Sequence, residues 1–331
     1  MAARVAVTRI IPEGGMQMLR QAEAAGEIEL RLWEKEMPPS AAELAEMLRG
    51  CGGALTLLTD EITPDVLDRE PQLKVISNFA VGYDNVDVPA ATARGVMVSN
   101  TPGVLTETTA DFAFALLMAA ARRIVEGVDY VRAGKWQTWG PTLLMGRDLH
   151  GATLGIAGFG RIGREMAKRG RGFDMRILAY DTYQDETAAR ELGAEYRELD
   201  DLLRESDFVS LHVALTPETH HLIGARELNV MKREAVLVNA ARGPVVDTDA
   251  LVEALRRGEI AGAALDVTDP EPLPVDHPLV SMPNVIVVPH IASASVATRN
   301  KMAEMAVENL LTGARGDRPP ILVNPEALDR R

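Results

Sequence analysis

The sequence contains little that could be cross-linked, inserted into a membrane or secreted. Cys51 is the only cysteine among 331 residues, which excludes an intrachain disulfide and a cysteine zinc cluster, and we expect a buried structural thiol. The most apolar run, FAFALLMAAA at 112–121, is about half as long as a membrane span. The N-terminal segment lacks the apolar core of a signal peptide. A cytoplasmic protein that does not bind membranes is therefore expected.

Positive charge is also scarce. Lys and Arg number 35 against 48 Asp and Glu, so the net charge is −13, which argues against a general affinity for nucleic acid or anionic membranes. An acidic protein that binds anions must concentrate positive potential locally, at single arginines and helix N-termini. The six histidines show no metal-ligand spacing, and no metal is expected.

Short apolar, β-branched runs alternate with helical patterns, which predicts parallel strands joined by crossover helices. The first hundred residues contain the strand candidates RVAVTRI, GALTLL, LKVISNF and VMVSN. From residue 152 a second series follows, with TLGIAGFG, RILAYD, FVSLHV, AVLVNAA, GAALDV and NVIVVP. Between the early strands, SAAELAEMLRG is typical of a helix with Ser40 as N-cap and Gly50 as its stop. This α/β pattern predicts two parallel sheets.

Two strong helical patterns lie where one series gives way to the other. The first, TETTADFAFALLMAAARR, offers Thr106 or Thr108 as a cap, and the second, ASASVATRNKMAEMAVENLLTG, is predicted to end at Gly313. We interpret both as crossings between domains, so that the last forty or so residues return to the N-terminal domain and a cleft lies between the two. The predicted domains are a discontinuous substrate-binding domain, 1–101 with 289–331, and a nucleotide-binding domain, 102–288.

A dinucleotide-binding fingerprint opens the second series. Gly158, Gly160 and Gly163 have the G-x-G-x-x-G spacing, with a predicted strand before them and a helix after them. The first glycine permits the tight turn, the second lets the backbone approach a pyrophosphate, and the third lets helix and strand pack closely. The amides of Arg161 and Ile162 are predicted to bind the pyrophosphate.

The next predicted strand, RILAYD, ends in Asp181, at the distance where an acidic side chain binds the adenine ribose. A carboxylate there repels the 2′-phosphate of NADP(H), and the following TYQDE contains no lysine or arginine. NAD(H) is therefore the expected cofactor of a Rossmann domain.

Three later segments supply the groups that hydride transfer to a 2-oxo acid requires. Arg242, in NAARGPVVD, can grip a carboxylate at two points and polarise a carbonyl. His290, in VVPHIASAS, can donate the proton, and a carboxylate such as Glu271, in LDVTDPEPLP, would favour its protonated form. Singly, each also suits a solvated loop charge or a helix cap. Their order behind a fingerprint, each after a predicted strand, favours a catalytic set.

These segments resemble the D-isomer-specific 2-hydroxyacid dehydrogenase family over nearly the whole chain. The resemblance runs through AVGYDNVDVPAATARGVMVSNTPGVLTETTADFAFALL, GIAGFGRIG, ESDFVSLHVALTPETHHLI, NAARGPVVDTDALVEAL, GAALDV and NVIVVPHIASAS. AVGYDNVD and WQTWGPTLLMG are most similar to glyoxylate/hydroxypyruvate reductases. The resemblance implies a Rossmann domain inserted in a flavodoxin-like substrate domain.

The resemblance also implies roles for individual residues. Arg242, Glu271 and His290 match the family's catalytic set. Substrate binding falls to the backbone amides of Val81 and Gly82, with Ser293 nearby. The remaining implied contacts are with the cofactor: Ala240 and Asp266 at the nicotinamide carboxamide, and Thr109 near the phosphates and nicotinamide.

Alternative functions remain open at this point. D-3-phosphoglycerate is disfavoured, because Phe79 and Ala80 stand where a phosphate-binding arginine is expected. D-lactate or another D-2-hydroxy acid is a second substrate class, since side-chain pockets cannot be read from one sequence. A non-enzymatic NAD(H)-sensing corepressor shares this fold and can retain the same triad.

The tract RAGKWQTWGPTLLMGRDLHG, residues 132–151, has no helical or strand period and is predicted to be an arm. Exposed apolar arms usually pack on a partner subunit. The resembling reductases use this region in a two-fold dimer, which implies a homodimer whose Trp139 closes the neighbour's substrate pocket. Trp139 packing within its own subunit is the alternative.

Overall fold

The structure, a computed structural model, describes residues 2–330 and divides into two compact units. The first unit contains the chain up to Leu105 and again from Ala294, and the second unit contains Thr106–Ser293. The divisions lie within five residues of the predicted ones, and the roles of the two domains remain a proposal. None of the helices in the described part of the chain is long and apolar enough to cross a membrane.

The strands, in chain order, are β1 (Ala3–Val7), β2 (Ile28–Leu32), β3 (Gly53–Thr56), β4 (Val75–Asn78), β5 (Met97–Ser99), β6 (Thr153–Ala157), β7 (Arg176–Tyr180), β8 (Ala194–Tyr196), β9 (Phe208–Leu211), β10 (Val236–Asn239), β11 (Gly262–Leu265) and β12 (Val285–Val287). The α-helices are α1 (Glu13–Ala24), α2 (Ala41–Leu48), α3 (Pro64–Arg69), α4 (Val88–Ala93), α5 (Thr106–Ala121), α6 (Ile124–Arg132), α7 (Arg161–Gly172), α8 (Glu186–Leu192), α9 (Leu199–Glu205), α10 (Ala225–Val230), α11 (Thr248–Arg257), α12 (Pro278–Ser281) and α13 (Val296–Arg315). Short 3-10 helices cover Gly243–Val245 and Pro325–Arg330.

The first unit is built on a five-stranded parallel sheet in the order β2-β1-β3-β4-β5. This is the flavodoxin-like order, with the switch point between β1 and β3. Strands β3 and β4 are buried along their whole length, because helices pack on both faces of a parallel sheet. The predicted thiol is buried here, where Cys51 lies in the apolar core.

The second unit contains a seven-stranded parallel sheet in the order β12-β11-β10-β9-β6-β7-β8. Its strand order is that of the Rossmann fold with one more strand, and the order reverses between β6 and β9. Successive residues of β9, such as Phe208 and Val209, enter separate apolar clusters on the two faces. The predicted α/β class with two parallel sheets is confirmed.

The predicted helix termini are confirmed in α2 and differ in α5 and α13. Ser40 caps α2 in a reciprocal capping box with Glu43, as predicted. Thr108 is not a cap, because α5 already begins at Thr106. The predicted end of α13 at Gly313 was also wrong.

Helix α13 continues to Arg315 and ends at Gly316, which has a φ of 99°. The left-handed region favours glycine, so Gly316 is the stop. Gly313 has another function, since a Cβ atom there would lie 2.6 Å from Val75. It lets the helix pack closely on β4.

Two strands, β2 and β8, were not indicated by the sequence patterns. Each lies at an edge of its sheet. Their sequences, IELRL and AEY, contain charged residues that face solvent. These two edge strands lack the apolar runs by which the other strands were recognised, including β5 and β12 at the opposite edges of the sheets.

Candidate active site

The predicted dinucleotide loop joins β6 to α7 at the point where the strand order of the second unit reverses. Gly158 has a φ of 94°, and a Cβ atom there would lie 2.5 Å from the backbone of His212 and Val213. A Cβ atom on Gly163 would lie 2.0 Å from the carbonyl oxygen of Gly158. Only glycine fits either position, so the loop and helix approach closely as the fingerprint requires.

Gly160 differs from its two neighbours in the motif. Nothing lies within 4 Å of a Cβ atom built on it, so its glycine is not needed for packing within the protein. It is the N-cap of α7 and provides no side-chain cap for the amides of the first turn, which include Arg161 and Ile162. Those amides have no partner inside the helix. The open space at Gly160 and the uncapped amides at the start of α7 are suited to binding a pyrophosphate.

Asp181 directly follows β7 and is connected to this loop. One carboxylate oxygen accepts a hydrogen bond of 2.7 Å from the amide of Phe159, and the other accepts one of 3.1 Å from the amide of Tyr183. Each carboxylate oxygen has a further acceptor position. The side chain therefore fixes the glycine-rich turn and retains the capacity to accept hydroxyl groups.

His212 follows β9 on the other side of the loop. Its Nε2 lies 2.9 Å from the hydroxyl of Ser210, while its Nδ1 is buried without a partner among the described residues. Burial lowers the pKa of His212 to about 4. The ring is therefore neutral near pH 7 and contributes no charge beside the loop.

Arg242 lies in the turn after β10. The side chain of Asn239 fixes this turn by donating to the carbonyl of Arg242, at 2.8 Å, and accepting from the amide of Ala241, at 3.0 Å. Asn239 is itself buried. The guanidinium is half-buried and contributes to the electrostatic environment of Glu271.

Glu271 and His290 meet, as the sequence predicted. One Glu271 oxygen lies 2.7 Å from Nδ1 of His290, and the other accepts from the amide of Thr268 at 3.3 Å. Burial acts to raise the pKa of Glu271. This effect is outweighed by the hydrogen bond and charge of His290, the hydrogen bond from the Thr268 amide and the charge of Arg242, so that the pKa of Glu271 is lowered. Glu271 is therefore ionised at neutral pH. With Nδ1 engaged, Nε2 is the ring nitrogen that can transfer a proton.

Asp266, directly after β11, fixes the loop that contains His290. Its two carboxylate oxygens accept from the amides of Ile291 and Ala292 at 2.7 and 3.0 Å, and its carbonyl accepts from the amide of His290 at 2.9 Å. Burial raises the pKa of this carboxyl group despite those two hydrogen bonds. His290 has a φ of 53°, and the three bonds stabilise this left-handed conformation.

The other predicted residues of the second unit have less defined surroundings. Ala240 lies one residue beyond β10, and Ser293 is half-buried at the end of the loop that contains His290. Thr109 is buried in the first turns of α5. Trp139 is 78% exposed, and its role stays a prediction.

The predicted carboxylate-binding residues Val81 and Gly82 form a turn after β4 in the first unit. Two asparagines that the sequence reasoning did not single out hold this turn. Asn100 donates to the carbonyl of Val81 at 2.8 Å, and Asn78 donates to that of Gly82 at 3.1 Å. Both follow or end predicted strands, and that position is the signal by which they could have been found.

Comparison with known proteins agrees with this arrangement. Residues 114–292 match the family model described as D-isomer specific 2-hydroxyacid dehydrogenase, NAD binding domain. The chain is 54% identical to a glyoxylate reductase of Korarchaeum cryptofilum, over 100% of this chain and 98% of the relative. Among solved structures, a protein of Thermus thermophilus matches with a TM-score of 0.90 at 48% identity, covering 97% of this chain and 99% of that chain. An NADPH-dependent glyoxylate/hydroxypyruvate reductase of Sinorhizobium meliloti, solved with NADP and malonate, matches with a TM-score of 0.87 at 35% identity, covering 100% and 99%.

Proposed function

Because the chain belongs to the D-isomer specific 2-hydroxyacid dehydrogenase family, we propose that it reduces a small 2-oxo acid, glyoxylate or hydroxypyruvate, with NADH. Membership makes it an oxidoreductase with a nicotinamide-binding domain. The observation that carries the specific proposal is the 2.7 Å contact between Glu271 and His290, in the same unit as the dinucleotide loop and Arg242. The first unit would be the substrate-binding domain and the second the NAD-binding domain.

The residues of the second unit supply distinct parts of the chemistry. A bound nicotinamide supplies a hydride to the carbonyl carbon of the substrate. Arg242 holds the substrate carboxylate and polarises the carbonyl, so that its fixed charge stabilises the negative charge developing on oxygen. His290 donates the proton from Nε2 to that oxygen. Ionised Glu271 keeps the ring oriented through its 2.7 Å contact with Nδ1.

The cofactor would be held by the glycine-rich loop and the strand ends beside it. The amides of Arg161 and Ile162 bind the pyrophosphate at the start of α7, while Gly158 and Gly163 permit the close approach. The other proposed contacts, taken over from the family, are those of Thr109, Ala240 and Asp266 with the phosphates, nicotinamide and carboxamide.

We expect NADH to be preferred over NADPH. Asp181 presents a carboxylate where the adenine ribose binds, and the fixed charge opposes a 2′-phosphate. The nearby tract TYQDE adds acidic groups and no basic ones. The Sinorhizobium meliloti relative is named as NADPH-dependent, so the preference varies among similar proteins and Asp181 is the local basis for the choice here.

The substrate-binding groups proposed for the first unit are the amides of Val81 and Gly82, which bind the carboxylate. Ser293 of the second unit is proposed to contact the substrate as well. The chain's relatives include several named glyoxylate reductases at 47–54% identity, which supports the smallest 2-oxo acids as substrates.

A homodimer is proposed from the surface of α6 and the arm that follows it. Large apolar side chains that are 38–78% exposed form this α6–arm surface: Ile124, Val125, Val128, Val131, Trp136, Trp139, Leu143 and Met145. Exposed apolar area of this extent is typical of an interface. Trp139 would close the substrate pocket of the neighbouring subunit and disfavour bulky substrates.

The proposal is tested by steady-state assays of the purified protein with NADH and a panel of 2-oxo acids. We expect glyoxylate and hydroxypyruvate to give the highest kcat/KM, with pyruvate lower. Highest activity with pyruvate would favour a D-lactate dehydrogenase. Tight NADH binding without turnover of any 2-oxo acid would contradict the proposal and favour an NAD(H)-sensing function.

A further inference from the structure

The turn from Ala80 to Tyr83 in the first unit has three consecutive carbonyl groups held by the protein. The Ala80 oxygen accepts from the amide of Thr101 at 2.8 Å. The Val81 oxygen accepts from Nδ2 of Asn100, also at 2.8 Å, and the Gly82 oxygen accepts from Nδ2 of Asn78 at 3.1 Å.

A carbonyl that is held in place also orients the amide of the next residue. The carbonyl of Ala80 shares a peptide plane with the N–H of Val81, and the carbonyl of Val81 shares one with the N–H of Gly82. In a trans peptide the two groups point in opposite directions, and these peptide bonds are trans. The bonds to the carbonyls of Ala80 and Val81 therefore turn the amides of Val81 and Gly82 away from the groups that hold those carbonyls. The bond to the Gly82 carbonyl does the same for the amide of Tyr83.

Those two amides are available for an external acceptor. Across residues 2–330, no protein acceptor is recorded for the N–H of Val81 or of Gly82, and both residues are only half-buried. Successive N–H groups that point to one side form a concave site for an anion. The pattern of three held carbonyls matches that geometry.

The asparagines that hold the carbonyls are themselves fixed. Asn78, the last residue of β4, is fully buried, and its Oδ1 accepts from the hydroxyl of Thr56 at 3.2 Å while its Nδ2 also donates to Asn85 at 3.0 Å. Asn100, just after β5, is 7% exposed, and its backbone carbonyl accepts from Nδ2 of Asn309 in α13 at 3.3 Å. The side-chain amide of Asn78 is therefore fixed by partners at both of its polar atoms, and that of Asn100 is restricted by burial and by its anchored backbone.

The orientation of the peptide plane between Val81 and Gly82 depends most on the asparagine side chains. Glycine tolerates a wide range of φ, so this peptide can rotate about its Gly82 end at little cost. Rotation of this peptide would turn the N–H of Gly82 away from a bound anion. The carbonyl of Val81 would then face the anion with its partial negative charge. Asn100 is the one side chain that holds that carbonyl in the described structure.

We propose that Asn100 is a positioning residue that orients the Gly82 amide toward the substrate carboxylate, with Asn78 supporting the next peptide of the turn. The inference rests on the proposed function, because it takes the 2-oxo acid carboxylate as the anion. Asn100 acts through the turn, and its loss should weaken carboxylate binding more than hydride transfer.

The test compares Asn100→Ala with wild type in two readouts. One neutral hydrogen bond corresponds to about a fivefold to tenfold change in an equilibrium. We expect the KM for glyoxylate to rise about tenfold, kcat to change less than about threefold, and the Kd for NADH to stay constant. In calorimetric titration, the Kd of oxalate, a non-reducible carboxylate probe, should rise by a similar factor.

Two further variants make the result specific. In Asn100→Asp the side chain keeps its size but has no donor for the Val81 carbonyl. This variant should fold even if Asn100→Ala does not, and it should lose more oxalate affinity. Asn284→Ala is the matched control, because its Nδ2 also donates to one backbone carbonyl, that of Ala261 at 2.9 Å. It should leave both the KM for glyoxylate and the Kd of oxalate unchanged.

The outcomes separate this inference from the proposed function. If wild type binds oxalate but does not reduce glyoxylate, the proposed function fails, and a weakened oxalate Kd in Asn100→Asp still supports the positioning role. If glyoxylate is reduced and both Asn100 variants keep the KM and the oxalate Kd within about twofold of wild type, the inference is overturned. Failure of wild type to bind oxalate or glyoxylate also overturns it.

Discussion

His290 shows how a single residue is held in a conformation that its type rarely adopts. A φ of 53° is uncommon for a residue with a side chain, although histidine is among those that tolerate it best. The carbonyl and both carboxylate oxygens of Asp266 bind the backbone of His290, Ile291 and Ala292. The loop thereby directs Nδ1 to Glu271 and leaves Nε2 available.

Replacing His290 by glutamine tests the proton-donor assignment. Gln lacks a titratable proton, so kcat for glyoxylate reduction should fall by about 10² to 10⁴ if general acid catalysis is its role. The Kd for NADH should change little, because the dinucleotide loop is untouched. Stopped-flow and steady-state measurements give both values, and turnover near that of wild type would contradict the assignment.

Glu271→Gln tests the ion pair through pH. Burial opposes ionisation of Glu271, but the contacts of His290 and Thr268 lower its pKa below the ordinary 4.5. A lowered pKa in the folded state means that the carboxylate stabilises the fold above pH 4.5, and this stabilisation disappears as pH falls through the lowered value. The Tm difference between wild type and Glu271→Gln should therefore be constant near neutrality and shrink in acid.

The same variant should lower turnover near neutral pH. The amide removes the carboxylate that lies 2.7 Å from Nδ1 of His290 and orients its ring, so kcat for glyoxylate reduction should fall while the Kd for NADH stays near that of wild type. A kcat equal to that of wild type, together with a pH-independent Tm difference, would show that the pair has no functional coupling.

Among the structural elements, the segment from β6 to the first turn of α7 contains two glycines with different roles: Gly163 is needed for packing, and Gly160 is proposed for cofactor binding. A Cβ atom on Gly163 meets the Gly158 carbonyl at 2.0 Å, whereas one on Gly160 meets nothing within 4 Å. Gly163→Ala should lower the free energy of unfolding by about 1–3 kcal/mol through overpacking. Gly160→Ala should keep the stability of wild type and raise the KM for NADH. Equal loss of stability in both variants, measured by denaturant unfolding, would contradict this division.

Asp181 connects the end of β7 to the glycine-rich loop, so a substitution intended to change cofactor specificity also affects that loop. Its carboxylate accepts the Phe159 amide, so a short replacement would disturb the loop as well as the ribose contact. Asp181→Asn keeps an acceptor for that amide and removes the charge. The kcat/KM ratio of NADPH to NADH should rise roughly fivefold, as expected for the loss of about 1 kcal/mol of charge repulsion. An unchanged ratio would show that other residues decide the preference.

The sequence patterns predicted every strand except β2 and β8, which are two of the four edge strands. Strands such as β9 and β10 are buried along their whole length, and burial on both faces requires the apolar runs that were recognised. At the edges, Glu29 of β2 pairs with Arg4 and Glu195 of β8 pairs with Arg176. Such strands contain the charged residues that sequence patterns assign to loops.

At the scale of the whole molecule, the α6–arm surface is the feature that a single chain leaves unexplained. A net charge of −13 favours solubility of a monomer, yet Trp139 and Val128 are 78% and 42% exposed. We expect a homodimer by light scattering at micromolar concentration. Val128→Asp should produce monomers, because a buried unpaired charge is costly at an interface, and Asp129→Ala on the same helix should not.

Trp139 is tested separately from the dimer. Trp139→Gly should retain the wild-type oligomeric state and widen the substrate range toward bulkier 2-oxo acids. A wild-type monomer, or an unchanged substrate profile in this variant, would remove the basis for the proposed role of Trp139.

The candidate site was only partly predictable from sequence. Arg242, Glu271 and His290 each follow a strand, and the carboxyl ends of parallel strands meet at one edge of the sheet, so their proximity could be expected. The positions of Asn78 and Asn100 at the ends of predicted strands also mark them as candidates, but the bonds by which they support the turn at Val81 could not be expected. These bonds join side chains at the ends of two strands to backbone carbonyls of a third segment, and no spacing in the sequence encodes them.

The proposed NADH-dependent reduction of a small 2-oxo acid can be measured directly with the purified protein. The kcat/KM of the purified protein for glyoxylate reduction is determined with saturating NADH and with saturating NADPH, from the loss of nicotinamide absorbance. We expect turnover in the range of roughly 1–10³ per second with NADH and a lower kcat/KM with NADPH. Preference for NADPH would contradict the role of Asp181, and absence of turnover with either cofactor would contradict the proposed function.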